Sequence, residues 1–149
     1  MPVDYVLKRA DIIAEARKWL DVPYKHQGRS KFGIDCVGLP FMVAKGLGHP
    51  VLAPAGYPNM PQGYQLLLPA EKQLWTPVRQ TVAPGDLGVF FGSNPDEPQH
   101  FAFIASHSGQ LTLIHSFSKY GKVVEQSWNR LWASKFHKLF VLPGTEEPV

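Results

Sequence analysis

Five short runs rich in β-branched and aromatic residues, at 86–91, 100–105, 111–116, 123–126 and 136–142, fill the second half of the chain. Gly, Asn, Pro or charged turn residues cut each one off, so they predict strands joined by short connections. The first half has a different period. Ile12, Ile13, Ala16, Trp19 and Leu20 recur at helical spacing over 11–20, with Asp11 placed as an N-cap. A second apolar run, 35–45, ends at Gly46, a natural helix stop. Helices first and strands afterwards predict an α+β fold, a helical layer on a mainly antiparallel sheet. The stretch 21–33 reads as a bent loop. Between Gly48 and Pro84 six prolines, at 50, 54, 58, 61, 69 and 77, break the pattern. Short helices are predicted there at 62–67 and 70–75, in a wrapping segment rather than a second domain. A chain of 149 residues suits one domain, 1–149.

Composition narrows the function classes. An apolar fraction of 44% supports a real core, while 13 Gly and 14 Pro argue against a helical bundle. The net charge of +3 is mild, and the Lys and Arg residues are scattered rather than massed in a stripe. A nucleic-acid partner is therefore not expected. No apolar run approaches the roughly 20 residues that span a bilayer, so no stable membrane insertion is expected. Met1-Pro2-Val3-Asp4-Tyr5 leads into a charged amphipathic stretch, which does not read as a signal peptide. One cysteine excludes an internal disulfide framework and a Cys-rich metal knuckle. The stretch 145–149 is expected to be exposed and flexible.

That cysteine, Cys36, lies in Gly33-Ile34-Asp35-Cys36-Val37-Gly38-Leu39, where a Gly-rich loop meets the second apolar run. A thiol at a helix N-terminus feels unpaired N–H groups and the positive dipole end, which favour the thiolate. Gly38 would let substrate or the sheet come close. Pro40 inside the run predicts a distorted first turn or a later helix start. The plain alternative is a buried small hydrophobe among Ile, Val and Leu.

His100 opens a predicted strand in which His100, Ala102 and Ile104 share one face, and Phe101, Phe103 and Ala105 the other. One of these faces looks at the helical layer. His115 lies near the end of the next strand, and a hairpin through 106–110 would set the two side by side. Cys36, His100 and His115 would then form a nucleophile, a base and an orienter. Taken singly, each His also fits an ordinary core or surface position. Zinc binding by the same three residues is a further alternative, though they lack a close ligand pair or an HExxH-type signature. His107 falls in the turn and is expected to face solvent.

The ordered series Pro23-Tyr24 with Gly28, Gly33-Ile34-Asp35-Cys36-Val37-Gly38-Leu39, Pro84-Gly85-Asp86-Leu87, His100, and Ile114-His115 resembles the NlpC/P60 peptidase family. It spans about residues 10–142. A finer resemblance, to the phage-associated branch seen in tail-tip proteins, rests on the Pro- and Tyr-rich segment with Tyr57-Pro58 and on Val123-Val124-Glu125 through Trp128, followed by the Phe136-to-Pro143 strand. The resemblance implies a papain-like α+β domain whose catalytic helix begins at Cys36 and packs on a sheet bearing His100 and His115. It implies a cysteine peptidase acting without cofactor on peptidoglycan stem peptides, commonly between D-γ-glutamyl and a diamino acid. Made in the host cytoplasm without a signal peptide, it would sit in a virion tail beside tail-tip or hub proteins and act at the bacterial wall. A structural tail-tip or plug protein with a little-used site is the alternative.

By the same resemblance Tyr24 lines the cleft. Asp35 either caps the helix or binds the substrate's free amine, and Asp86 serves a turn. The chain departs from the family after Pro23-Tyr24. His26 stands where an aromatic is usual, and Gln27 where a glycine is, which changes the wall that His26 contributes to substrate binding. Leu20 and Val37 replace a common Gly and Ser.

Overall fold

The computed structural model describes residues 6–49, 67–92 and 98–148. The first helix, α1 (Arg9–Arg17), buries Ile12, Ile13 and Ala16 on one stripe. Its N-cap is Lys8, and Asp11 lies in the first turn, where a carboxylate favours the positive helix end without capping it. The chain then turns through Trp19 and through Asp21, whose φ of 71° ends the helical path. A small hairpin, β1 (Arg29–Ser30) with β2 (Gly33–Ile34), occupies the stretch expected to be loop.

The second helix, α2 (Gly38–Gly46), is buried nearly all round through Leu39, Phe41, Val43 and Ala44. It takes the later start that Pro40 requires, with Val37 as N-cap. Pro40 is then the third helical residue, where the missing N–H would have had no intrahelical partner. Cys36 therefore precedes the helix rather than beginning it. A third helix, α3 (Leu67–Gln73), covers much of the predicted 70–75 segment. Most of the predicted 62–67 helix lies outside the described residues.

The strands follow the sequence reading within a few residues: β3 (Leu87–Phe91), β4 (Pro98–His107), β5 (Gln110–Phe117), β6 (Lys122–Ser127) and β7 (Phe136–Phe140). They form one sheet in the order β6-β5-β4-β3-β7, every pair antiparallel. Ser108 and Gly109 join β4 to β5 with φ of 51° and 77°, the pair of positive values that a tight hairpin turn needs. His107 ends β4 and is exposed, as expected of the turn.

Both faces of the sheet are covered. Phe101, Phe103, Ala105, Ile114 and Phe140 pack with α1 and α2. Phe90, Ala102, Ile104 and Leu113 pack with Trp132 of a fourth helix, α4 (Arg130–Lys135). Asn129 caps α4 by accepting the Trp132 amide at 3.0 Å. Each fully buried Phe is worth about 2–3 kcal/mol of transfer free energy, so the central strands are pinned from both sides.

The C-terminal stretch does not hang free. Leu7 and Thr145 form a parallel bridge, the Glu146 amide donates to the Leu7 carbonyl at 2.9 Å, and Thr145 is buried. Unmet backbone groups of the chain's first turn supply partners that composition could not show.

Candidate active site

The site is built on a buried carboxylate. Asp35 is 1% exposed. Its Oδ1 accepts the Gly38 amide at 2.8 Å and the Arg29 guanidinium at 3.1 Å, and its Oδ2 accepts the Gln27 amide at 2.7 Å. The Gly38 bond ties this carboxylate to the first residue of α2, the contact that a capping role asks for. Gln27 reaches it with φ of 59°, a conformation that favours glycine. Gly38 makes the close approach possible, since a Cβ there would lie 2.7 Å from the Gly28 carbonyl oxygen. The 28–29 turn, rather than substrate or the sheet, occupies that space. His26 stands at the edge of this knot, half-buried, with Nδ1 4.0 Å from Asp35 Oδ2.

Ser116 holds the same loop against β5, its hydroxyl donating to the Ile34 carbonyl at 2.7 Å. Cys36 follows two residues later, half-buried and packed against the helical side of the core. It meets the sheet where the sheet opens. β4 and β5 pair from His107↔Gln110 to Phe103↔Ile114, although β4 runs back to Pro98 and β5 on to Phe117. Ile104 exchanges its backbone bonds with Gly85 and Asp86, so alternation turns the Phe101 amide toward β5. Beyond the last pair, that N–H faces the open edge, where it lowers the proton affinity of Cys36.

His100 and His115 meet each other from β4 and β5 beyond the last ladder pair. His100 shares its face with Ala102 and Ile104, away from α1 and α2, and packs on Trp132 with ring centroids 5.6 Å apart. Its Nε2 lies 2.6 Å from His115 Nδ1. His115 Nε2 in turn lies 2.8 Å from Gln126 Oε1 on β6. Phe117 and Tyr120 complete the aromatic surround of His115. The expected His100–His115 pair is present, and Gln126, Ser116, Arg29 and the Phe101 amide extend the set. Gln126 went unnoticed because it closes a polar end of β6. The amide could not be seen from side chains at all.

Burial sets the proton affinities. It pushes the Cys36 thiol up to about 12, helped by the Asp35 charge and opposed by the amides of Phe101 and Cys36 and by Arg29. It pulls His100 well below the usual histidine value, with His115 and Lys135 acting the same way. His115 falls to about 4 for the same first reason, against a raising bond from Gln126. The thiolate expected from a helix N-terminus is therefore outweighed, and the resting pair is thiol and neutral imidazole. Tyr24 is pushed up to about 12 by burial and by the charges of Cys36 and Asp35, which keeps its phenol a donor. Among the described residues no group of three His, Cys, Asp or Glu could hold a metal ion, so Cys36, His100 and His115 do not make the zinc set.

Asp86 is elsewhere. Fully buried, it accepts from Arg9 at 2.8 Å, from Arg79 at 2.7 Å and from the Ala83 amide at 2.7 Å, which makes it the turn anchor expected of it.

No protein-family model matches the chain, and no curated protein does. Solved structures do. An NlpC/P60 family protein from Bacillus cereus superposes with a TM-score of 0.65 at 19% identity, over 90% of this chain and 40% of that one. The NlpC/p60 domain of the peptidoglycan hydrolase SagA gives 0.60 at 24% identity, over 91% and 98% of the two chains. An N-acetylmuramoyl-L-alanine amidase from Bacteroides uniformis gives 0.58 at 15% identity, over 89% and 96%. The chain spans about two fifths of the Bacillus cereus protein and of an NLP/P60 family protein from Staphylococcus aureus. These likenesses define the fold class. The chain has the papain-like α+β fold of NlpC/P60 domains.

Proposed function

We propose that the chain belongs to the NlpC/P60 family and is a cysteine endopeptidase that hydrolyses peptidoglycan stem peptides, at the D-γ-glutamyl–diamino acid bond. The observation that carries this is the bonded pair His100–His115 at the open end of β4 and β5, with Cys36 packed on the core cluster that Phe101 and Ile114 of those strands join. Neighbours of the same fold that include a peptidoglycan hydrolase and an amidase support it.

His115 occupies Nε2 of His100, which leaves Nδ1 to take the thiol proton as the sulfur attacks the scissile carbonyl. With the resting pair neutral, His100 acts as a general base and not as one half of a standing ion pair. The proton then passes to the leaving amine, and a water deprotonated by His100 hydrolyses the thioester. The Cys36 amide and the Tyr24 phenol are the donors for the developing oxyanion. Tyr24 and His26 line the substrate side. The setting, from the sequence resemblance, is a phage tail or phage-like particle meeting the bacterial wall.

The test is cleavage of defined stem peptides with products identified by mass. Wild type is expected to cut, and Cys36→Ala to be inert. Equal cleavage by both would end the proposal. A second role, a tail-tip plug with a little-used site, is favoured by one observation, the burial that keeps His100 only 8% exposed. Loss of infectivity on removing the thiol alone would exclude that role.

A further inference from the structure

We propose that Gln126 is a positioning residue that sets the proton order of the His115–His100 pair, so that His100 presents an unprotonated Nδ1 to the thiol. This rests on the peptidase function proposed above. Two neutral imidazoles joined by one hydrogen bond need one N–H and one lone pair between them, and two orders satisfy the 2.6 Å contact. In one, His115 carries its hydrogen on Nε2, accepts at Nδ1 from His100 Nε2–H, and leaves a lone pair on His100 Nδ1. In the other every proton moves one place, His100 carries N–H at Nδ1, and it cannot take a proton from sulfur. The group at the far end decides. An acceptor at His115 Nε2 selects the first order, and Gln126 places its Oε1 there at 2.8 Å.

The amide suits this task better than a charge would. A carboxylate beside His115 would draw a second proton onto the pair and put a positive charge next to His100. The neighbouring carboxylate, Glu125, is turned to the other face, where it is held by Arg17 at 2.8 Å and by Thr112 at 2.7 Å. The strand alternation thus gives the histidines a neutral acceptor and keeps the acid away from them.

The test reads the tautomers directly, by nitrogen-15 NMR of the imidazoles in the full chain at neutral pH. His115 and His100 are both expected to carry hydrogen on Nε2 in the wild type. Gln126→Lys, which can only donate, is expected to move His115 to the Nδ1–H form and to cut kcat on the order of 10³–10⁴-fold at little changed KM, the size of a wrong-tautomer defect. Gln126→Glu, which can only accept, is expected to keep hydrogen on His115 Nε2 but to draw the second proton onto the pair, so that the acid limb of its kcat–pH profile moves upward; an unmoved profile overturns the inference. Nδ1–H on His115 in the wild type overturns the inference, as does wild-type kcat in Gln126→Lys. If Gln126→Lys fails to fold, Gln126→Met serves, with mixed tautomers and lower kcat expected, and unchanged spectra and kcat overturning the inference. A wild type that cuts no stem peptide defeats the peptidase function instead, while the wild-type spectrum still decides the proton order.

Discussion

Asp35 Oδ1 accepts the amide of Gly38 at 2.8 Å, tying the residue before the thiol to the first residue of the helix after it. The thiol sits inside that short loop, so its position depends on the carboxylate of the residue before it.

Asp35→Ala would leave the Gly38 and Gln27 amides and the Arg29 guanidinium to find other acceptors. Breaking a buried ion pair costs about 3–5 kcal/mol, and urea unfolding is expected to show a loss of that size. Asp35→Asn keeps a carbonyl for Gly38 and is expected to lose less. Equal midpoints for all three proteins would show that the cap contributes nothing.

The alkylation rate of Cys36 should follow its proton. With the thiol pushed up to about 12, iodoacetamide labelling is expected to be slow at neutral pH and to climb tenfold for each pH step through the alkaline range. A labelling rate that is already on a plateau by pH 6 would mean a standing thiolate–imidazolium pair.

The histidine pair links stability to acid. The folded values of His100 and His115 lie below the unfolded value of 6.5, so between the two the unfolded chain binds more protons. Stability is therefore full above about pH 6.5 and falls as the pH drops toward 4. For His115 alone the drop from 6.5 to about 4 corresponds to about 3 kcal/mol. Denaturant midpoints measured from pH 8 to pH 4 are expected to decline, and His115→Phe to flatten the decline. A midpoint rising toward pH 5 would contradict the burial of both rings.

Asp86 separates a structural acid from the site. Asp86→Asn is expected to destabilise by about 3–5 kcal/mol, since two guanidiniums lose their charge partner. Cleavage per folded molecule is expected to stay within about twofold, as measured below the melting range. A selective loss of activity would place Asp86 in the chemistry.

Much of this fold was legible because the five strands are punctuated by turn residues, and Ser108-Gly109 could only close a tight hairpin. The face of His100 was not legible. Phe101, Phe103 and Ala105 alternate with Ala102 and Ile104, all apolar, because α4 covers the side that α1 and α2 do not. A strand buried on both faces has no polar side to orient it. α4 itself spans six residues, too few for a period, and only Asn129 and Trp132 marked it. Cys36, His100 and His115 were found by order along the chain. The effect of a main-chain amide on Cys36 left no trace in residue types.

The unzipped end of β4 and β5 carries a consequence for anyone who hardens this protein against heat. The Phe101 amide can favour the ionised thiol or bond a neighbouring strand, but not both. Substitutions that draw residues 100–102 onto 115–117 would add ladder bonds and raise the melting temperature while taking from the thiol an amide that favours its ionisation. Selection for thermostability alone would thus steer toward well-folded, inert chains, with the gain in robustness and the loss of chemistry arising from the same hydrogen.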